Sequence, residues 1–354
     1  MNIRTLARWG MAVATCVAVV LPTPARAEVE PPRFANGFGL TVKVQPAWID
    51  EAHRTFTFSV ASTEVPRPTL LPTQVAGQHV VVVTLPEDYT GSAKRYPVLY
   101  ALHGNPDMPN TQWNVDRAEI ATAGKPLITV QPNGVRSWYS NWVNPGAVGK
   151  QNWESFHLDQ LIPFVDANLR TIANRDGRAI LGHSMGGFGA LHYAEHRPEL
   201  FGYVGSMSGG LDLRNPVMRG VVVTTELIEA SGVPTVGADA IFGAPVWPFD
   251  GIWNAESPAH NVARLRGMGV ALYTGNGGNL LDNPVQAIAE QQARETNLVA
   301  VANLTAAGVP FDFLDYGDGS TWAPGCTGKH ASAPCVQQAM THFVGLVLGR
   351  LQHP

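Results

Sequence analysis

Basic residues are few in this chain. Lys and Arg together number 24 against 28 Asp and Glu, a formal net charge of −4 over 354 residues. The cationic footprint that neutralises a phosphate backbone is therefore missing, which excludes nucleic acid as a partner. Charge of either sign is sparse, at 15%, whereas 45% of the residues are hydrophobic. That balance excludes a solvated disordered tail and leaves enough apolar mass to bury a substantial core. Long apolar runs are also missing: the stretch Trp9 to Leu21 is too short to span a bilayer. There is no internal repeat and no low-complexity tract. Glycine and proline, in contrast, are plentiful, with 36 and 27 residues, well above their usual joint share of about 12%, and they predict many loops.

The first 27 residues read as an export signal. Arg4 and Arg8 precede the apolar stretch, and Ala25-Arg26-Ala27 supplies the small residues that a signal peptidase accepts before Glu28. Cleavage there leaves 21 bases against 28 acids, a net charge of −7, and directs the protein outside the cell or to its envelope. Cys16 does not read as a lipid attachment site, because it lies inside the apolar run and follows the rather large Thr15. Only Cys326 and Cys335 then remain of the three cysteines. An even pair in an oxidising compartment is expected to form a disulfide. The loop between them holds His330, but two cysteines and one histidine fall short of a tetrahedral zinc set.

Residues 28–354 are expected to form one α/β domain. Arg54 to Ala61, His79 to Leu85, Pro97 to Leu102, Leu127 to Gln131, Arg178 to Leu181, Tyr203 to Ser206, Val270 to Thr274 and Phe311 to Tyr316 read as strands, several with the continuous apolar character of strands buried on both faces. Between them Phe156 to Leu169, Gly186 to His196 and Val285 to Ala307 have helical character, and a last helix runs from Val336 to Leu351. Such alternation implies a mostly parallel central sheet with helices on both faces. The Trp-, Pro- and Gly-rich stretch Leu213 to Asn261 reads as an insertion over the carboxyl edge of that sheet.

Gly182-His183-Ser184-Met185-Gly186 is a G-x-S-x-G pentapeptide between a short apolar strand and a helix. That context is the one in which a serine occupies a strained turn and exposes its hydroxyl, with glycines where side chains would clash. The backbone N–H of Met185, first in the helix, faces the same space. A serine hydroxyl needs a base, and in this arrangement the acid and then the histidine follow the nucleophile in the chain. Of the downstream histidines, His342 falls within the terminal helix, His353 at the chain end, and His260 before the strand that should present the acid. His330, in the loop after the last strand, is left as the base. For the acid, a carboxylate close after the Val270 to Thr274 strand is the simple expectation and favours Asp282, which could equally be a cap or loop residue, while Glu290 lies in the following helix; sequence alone leaves both open. Gly104 ends another buried strand and allows close backbone approach, so the N–H of Asn105 is assigned with that of Met185 to an oxyanion hole.

His192-Tyr-Ala-Glu195-His196 matches the H-x-x-E-H pattern of some zinc peptidases and puts both imidazoles on one helical face. No third ligand is evident, and this helix must pack behind the elbow. No metal and no cofactor are therefore assigned.

Several segments together resemble a known family. Tyr96-Pro-Val-Leu-Tyr-Ala-Leu-His-Gly104, Ser140-Asn-Trp142, Trp153-Glu-Ser-Phe156, Gly182-His-Ser-Met-Gly-Gly187, Ser206-Met-Ser-Gly209, Tyr273-Thr-Gly-Asn-Gly277 and the His330 region are similar to the esterase D-type α/β-hydrolases, and within them to the mycobacterial antigen 85 mycolyltransferases and their actinobacterial relatives. The resemblance runs from about Val80 to Leu351. It implies an α/β-hydrolase fold and places the acid in the helix after the Gly275-Asn-Gly277 turn, seven residues before an Asn. Glu290 and Asn297 match, so the resemblance moves the choice from Asp282 to Glu290. The family carries a Trp five residues after its histidine, where this chain has Cys335, so the disulfide takes the place of aromatic packing. The mycolyltransferases also carry L-D-G-x-R at the oxyanion loop, where Asp and Arg hold trehalose; here the stretch is Leu102-His-Gly-Asn-Pro106, and the sugar-holding pair is absent.

The expectation is a secreted serine esterase or acyltransferase with Ser184 as nucleophile, His330 as general acid and base, and Glu290 orienting the imidazole. Trp142 and Trp153 are candidates to line the acyl site, with the core as the equal alternative. The substrate is an ester or acyl lipid, with water or a cell-envelope lipid or carbohydrate as acceptor; no obligate protein partner is inferred. Transfer of a mycolyl-type chain to a sugar and a non-enzymatic adhesin on a dead hydrolase scaffold are the competing readings.

Overall fold

Runs of Val, Leu, Ile and aromatic residues that alternate faces every second position build one nine-stranded sheet. The computed structural model describes residues 29–354 apart from 51, 53, 68–73 and 228–235; the expected export segment, 1–27, lies outside the described residues. The strands are β1 (Leu40–Trp48), β2 (Thr55–Ser62), β3 (His79–Thr84), β4 (Val98–Leu102), β5 (Ile128–Pro132), β6 (Arg178–His183), β7 (Tyr203–Met207), β8 (Gly269–Thr274) and β9 (Asp312–Asp315), in the order β1-β2-β3-β5-β4-β6-β7-β8-β9. From β5 to β9 every neighbouring pair is parallel, while β1, β2 and β3 join antiparallel at one edge.

The first strand does not follow from hydrophobic pattern. Its register against β2 shifts at Val42/Val44 and again at Val44/Ala47, beside Pro46, and three consecutive residues are exposed. Proline is tolerated there because β1 is an edge strand with bulges. These irregularities remove the clean alternation by which a strand is recognised in sequence.

The helices are α1 (Gln112–Thr122), α2 (Trp153–Ser155), α3 (Ile162–Asn168), α4 (Met185–His196), α5 (Pro216–Leu227), α6 (Gly251–Ala255), α7 (Pro258–Asn261), α8 (Pro284–Ala307) and α9 (Ala333–Leu348), with a π-helical turn, Phe156–Leu161, joining α2 to α3. The π turn sits before Pro163, whose missing N–H interrupts the regular ladder. Alternation along the strands sends Leu99, Ala101, Leu181 and Tyr273 into one core with Val336, Phe343 and Val347 of α9. Tyr100, Leu102, Ile180 and Leu272 enter the other core with Phe164 of α3 and Phe188 of α4. The two cores on opposite faces are what a parallel sheet requires. Helices α5 to α7 form the expected insertion between β7 and β8; Met218 of α5 packs on Gly210, in the loop after β7, where a Cβ would meet its Cε at 2.3 Å. Among the described residues no helix is long and apolar enough to cross a membrane.

Three imidazoles are sealed in these layers. His79 Nε2 donates to the Val65 carbonyl at 2.8 Å, His157 bridges the Tyr193 hydroxyl and the Asn133 carbonyl, and His183 Nε2 donates to the His330 carbonyl at 2.8 Å. Burial pushes His79 down to about 4 and both His157 and His183 down to about 3. An unfolded histidine titrates near 6.5, so on acidification the unfolded chain takes up protons that the folded chain refuses. The stability that these neutral groups contribute is complete above about pH 6.5 and is lost as the pH falls towards their folded values. The urea midpoint is expected to drop steadily from about pH 6.5 to about pH 4; a flat midpoint over that range would contradict the burial of neutral imidazoles.

Candidate active site

Ser184 stands between β6 and α4 with φ 57° and ψ −120°, a conformation that side-chain-bearing residues avoid. Its neighbours explain how the turn closes. A Cβ on Gly182 would lie 1.9 Å from the Gly186 carbonyl oxygen, and one on Gly186 would lie 2.4 Å from the Leu102 carbonyl oxygen of β4. Only glycine fits at both positions, because backbone fills the space of the side chain. The turn is fastened by the Ser184 N–H, which donates to the Met207 carbonyl of β7 at 2.8 Å.

His330 reaches this serine from a loop 146 residues further on. Its Nε2 lies 2.7 Å from Ser184 Oγ and its Nδ1 lies 2.9 Å from Glu290 Oε2. A carboxylate facing Nδ1 requires the ring proton there, which leaves the Nε2 lone pair for the serine hydroxyl. Glu290 is fully buried. Its other oxygen accepts from Ser208 Oγ at 2.8 Å and from the Gly275 N–H at 2.6 Å. Burying a carboxylate is costly unless its lone pairs are used, and here protein donors occupy both oxygens. The His330 loop is tied to α8 through the His330 N–H on the Gln286 carbonyl and the Ala331 N–H on Gln286 Oε1. It is also closed by the Cys326–Cys335 disulfide, whose Cα atoms are 4.7 Å apart.

Asp282, the acid favoured by chain position alone, is elsewhere. Its carbonyl accepts from Lys329 Nζ at 2.9 Å, and its carboxylate stands 3.8 Å from the same ammonium in solvent. The stretch after β8 packs on the His330 loop through the Gly277 N–H on the Gly328 carbonyl, but the carboxylate that meets His330 is Glu290 of α8.

The Gly104 loop lies against the serine, since a Cβ on Gly104 would stand 3.2 Å from Ser184 Cβ. The N–H groups of Asn105 and Met185 meet no acceptor among the described residues. His103 holds this loop: its Nε2 accepts from the Gly134 N–H at 2.8 Å, so Nδ1 carries the proton and donates to the Gly104 carbonyl at 2.8 Å.

Of the two places left open for Trp142 and Trp153, an acyl site or the core, both rings are buried in the core. Trp153 is 0% exposed, packs edge-on against His79 and Phe156, and donates to Gln151 Oε1. Trp142 is 6% exposed and donates to the Ser137 carbonyl. Each indole N–H is satisfied inside the fold, and both rings belong to the core beside α4. The sequence reading missed Ser208, Gly275 and His183, which hold Glu290 and the His330 loop. Ser208, with φ 51°, sits in the Ser206-Met-Ser-Gly209 stretch, and that motif was the available signal.

Residues 74–330 match the family model described as putative esterase. Esterase Rv1288 of Mycobacterium tuberculosis is 37% identical over 252 residues, covering 69% of this chain and 53% of that protein. Diacylglycerol acyltransferase/mycolyltransferase Ag85A of Mycobacterium leprae is 30% identical over 192 residues, covering 51% of this chain and 55% of that protein. The chain thus spans about half the length of these curated relatives. The crystal structure of Mycobacterium tuberculosis MPT51 superposes with a TM-score of 0.58 at 22% identity, over 81% of this chain and 99% of that one, a likeness of fold.

Two outcomes follow from this geometry. Glu290→Gln should lower kcat by orders of magnitude with little loss of folding, whereas Asp282→Asn should be mild; comparable kcat for both variants would remove Glu290 from the site. Replacing Cys326 and Cys335 with serine should cost only about 2 to 3 kcal/mol of global stability for so short a loop. The local effect on the positioning of His330 should be greater, and kcat should fall further than the change in melting temperature accounts for. A fully active double variant would show that the loop is held without the bond.

Proposed function

The chain belongs to the putative esterase family, and on that premise we propose that it is a serine carboxylic-ester hydrolase or acyltransferase that works through an acyl-enzyme on Ser184. The observation that carries the reading is the continuous path from Ser184 Oγ through His330 to a buried Glu290, at 2.7 and 2.9 Å. In this mechanism His330 Nε2 takes the hydroxyl proton as Ser184 Oγ attacks the ester carbonyl, and Glu290 steadies the imidazolium. The Asn105 and Met185 N–H groups receive the charge that develops on the carbonyl oxygen. His330 then returns the proton to the leaving alcohol. Water or a second alcohol enters by the reverse route and releases the acyl group, and no cofactor takes part.

The missing Asp/Arg pair at Leu102-His-Gly-Asn-Pro106 supports water as the acceptor. The match to a mycolyltransferase supports a second reading, in which a long acyl chain passes to a sugar or lipid of the cell envelope. Residues 1–27 as an export signal and a disulfide beside the site support action outside the cytoplasm, as a single α/β-hydrolase domain over 28–354.

Ser184→Ala is expected to abolish hydrolysis of short p-nitrophenyl esters and labelling by a fluorophosphonate probe. Labelling that survives the substitution would defeat the assignment. Product analysis with trehalose and diacylglycerol offered against water separates the two readings: a transferred acyl chain selects the second, free acid alone the first.

A further inference from the structure

The two histidines of the H-x-x-E-H stretch take no part in the Ser184 site. His192 and His196 lie one turn apart on α4 with ring centroids 4.1 Å apart. Carboxylates from two other segments close on them. Glu154 of α2 places Oε1 3.0 Å from His196 Nδ1 and Oε2 3.4 Å from His192 Nε2. Glu256, which follows α6, places Oε2 3.1 Å from His196 Nε2 and 3.6 Å from His192 Nδ1. Glu195, the acid within the pattern itself, is buried and lies outside the group of donors that converge.

We propose that Glu154, His192 and His196 bind one divalent transition-metal ion of the zinc class, with Glu256 orienting both imidazoles from behind. The donor atoms of the three ligands lie within 4.8 Å of one another. Around one ion with bonds of about 2.0 to 2.2 Å, tetrahedral ligand atoms stand about 3.3 Å apart, and the 3.0 and 3.4 Å contacts of Glu154 with the two rings bracket that spacing. Each imidazole turns one nitrogen to Glu154 and the other to Glu256. A carboxylate on the far nitrogen is the arrangement that fixes the tautomer and raises the basicity of a metal-binding histidine.

A second observation points to a ligand. His192 is only 2% exposed, yet its Nε2 forms no hydrogen bond among the described residues, Glu154 Oε2 standing 3.4 Å away without the geometry of one. An ion at this nitrogen would remove the cost of leaving a buried polar atom unpaired. Beside it opens a cavity of about 210 Å³, bounded by the four ionisable residues together with Ser140 and Phe242, with room for water to complete the coordination. Mixed nitrogen and oxygen donors suit zinc and its transition-metal neighbours, whereas magnesium and calcium favour oxygen alone.

His192 is eight residues along α4 from Ser184, about 12 Å at the helical rise, so the ion stays clear of the reacting atoms. It joins α2 and the nucleophile helix directly, and the inserted segment through Glu256. Its expected effect is to stabilise this junction by mass action.

The test uses full-length protein without a histidine tag, stripped with chelator and titrated with zinc chloride in a calorimeter. One equivalent should bind at micromolar affinity or better and raise the melting temperature, and cobalt should give the visible spectrum of a tetrahedral or five-coordinate site. His192→Asn and Glu154→Gln should each abolish the spectrum, while Glu256→Gln should weaken zinc by roughly 10- to 100-fold. Glu154→Gln keeps the test decisive should His192→Asn fail to fold. Absence of zinc binding would overturn the proposal and leave an ion-pair network; stoichiometric binding that survives Glu154→Gln would overturn it by placing the ion elsewhere.

Discussion

The backbone of Ser184, held at φ 57° and ψ −120°, is the constraint around which the rest of the molecule is arranged. No local interaction makes that conformation favourable, so it persists only where its surroundings over-determine it. Three neighbouring strands do so. β4 presses its Leu102 carbonyl on Gly186, β6 delivers the chain, and β7 accepts the Ser184 N–H. The central position of β6 in the sheet therefore has a chemical consequence. A serine at the edge would lack one of these walls, and the turn would relax.

Placement of the acid shows a second constraint, the cost of burying charge. Glu290 sits one and a half turns or more inside α8, where an unpaired carboxylate would be strongly disfavoured. Ser208, Gly275 and His330 fill its hydrogen-bonding positions from three separate loops. The same three bonds tie together the chain ends after β7, β8 and β9. The acid thus organises the carboxyl edge of the sheet as well as the orientation of the His330 ring. Asp282, exposed beside Lys329, could not do this from the surface.

Helix α4 carries chemistry at both ends. Its first N–H, on Met185 next to Ser184, meets no acceptor among the described residues, and it stands at the end of the helix where the dipole favours negative charge. Its last two turns present His192 and His196 to Glu154 and Glu256. The residues between, Phe188 and Leu191 among them, are fully buried. The helix is accordingly a rigid spacer that keeps two polar clusters apart while both remain near the same core.

What the sequence determined by itself is what neighbouring residues encode. Alternating apolar runs and helical stretches specified the α/β order, G-x-S-x-G specified the elbow because its glycines answer to the turn's own backbone, and elimination among six downstream histidines left His330. The bulged edge strand β1 escaped because Pro46 and two register shifts erase its alternation. Spacing left Asp282 and Glu290 open until the likeness of the Glu290 and Asn297 pair to a family was weighed. Trp142 and Trp153 have the composition of a binding surface, but the packing of α2 and the preceding loop consumed both rings. Glu154 and Glu256 joined the α4 histidines from 38 and 64 residues away, beyond the reach of any local period. Only the tertiary structure decided these, since which buried groups meet depends on how whole layers pack, whereas a turn or a helix is settled by bonds among residues a few positions apart.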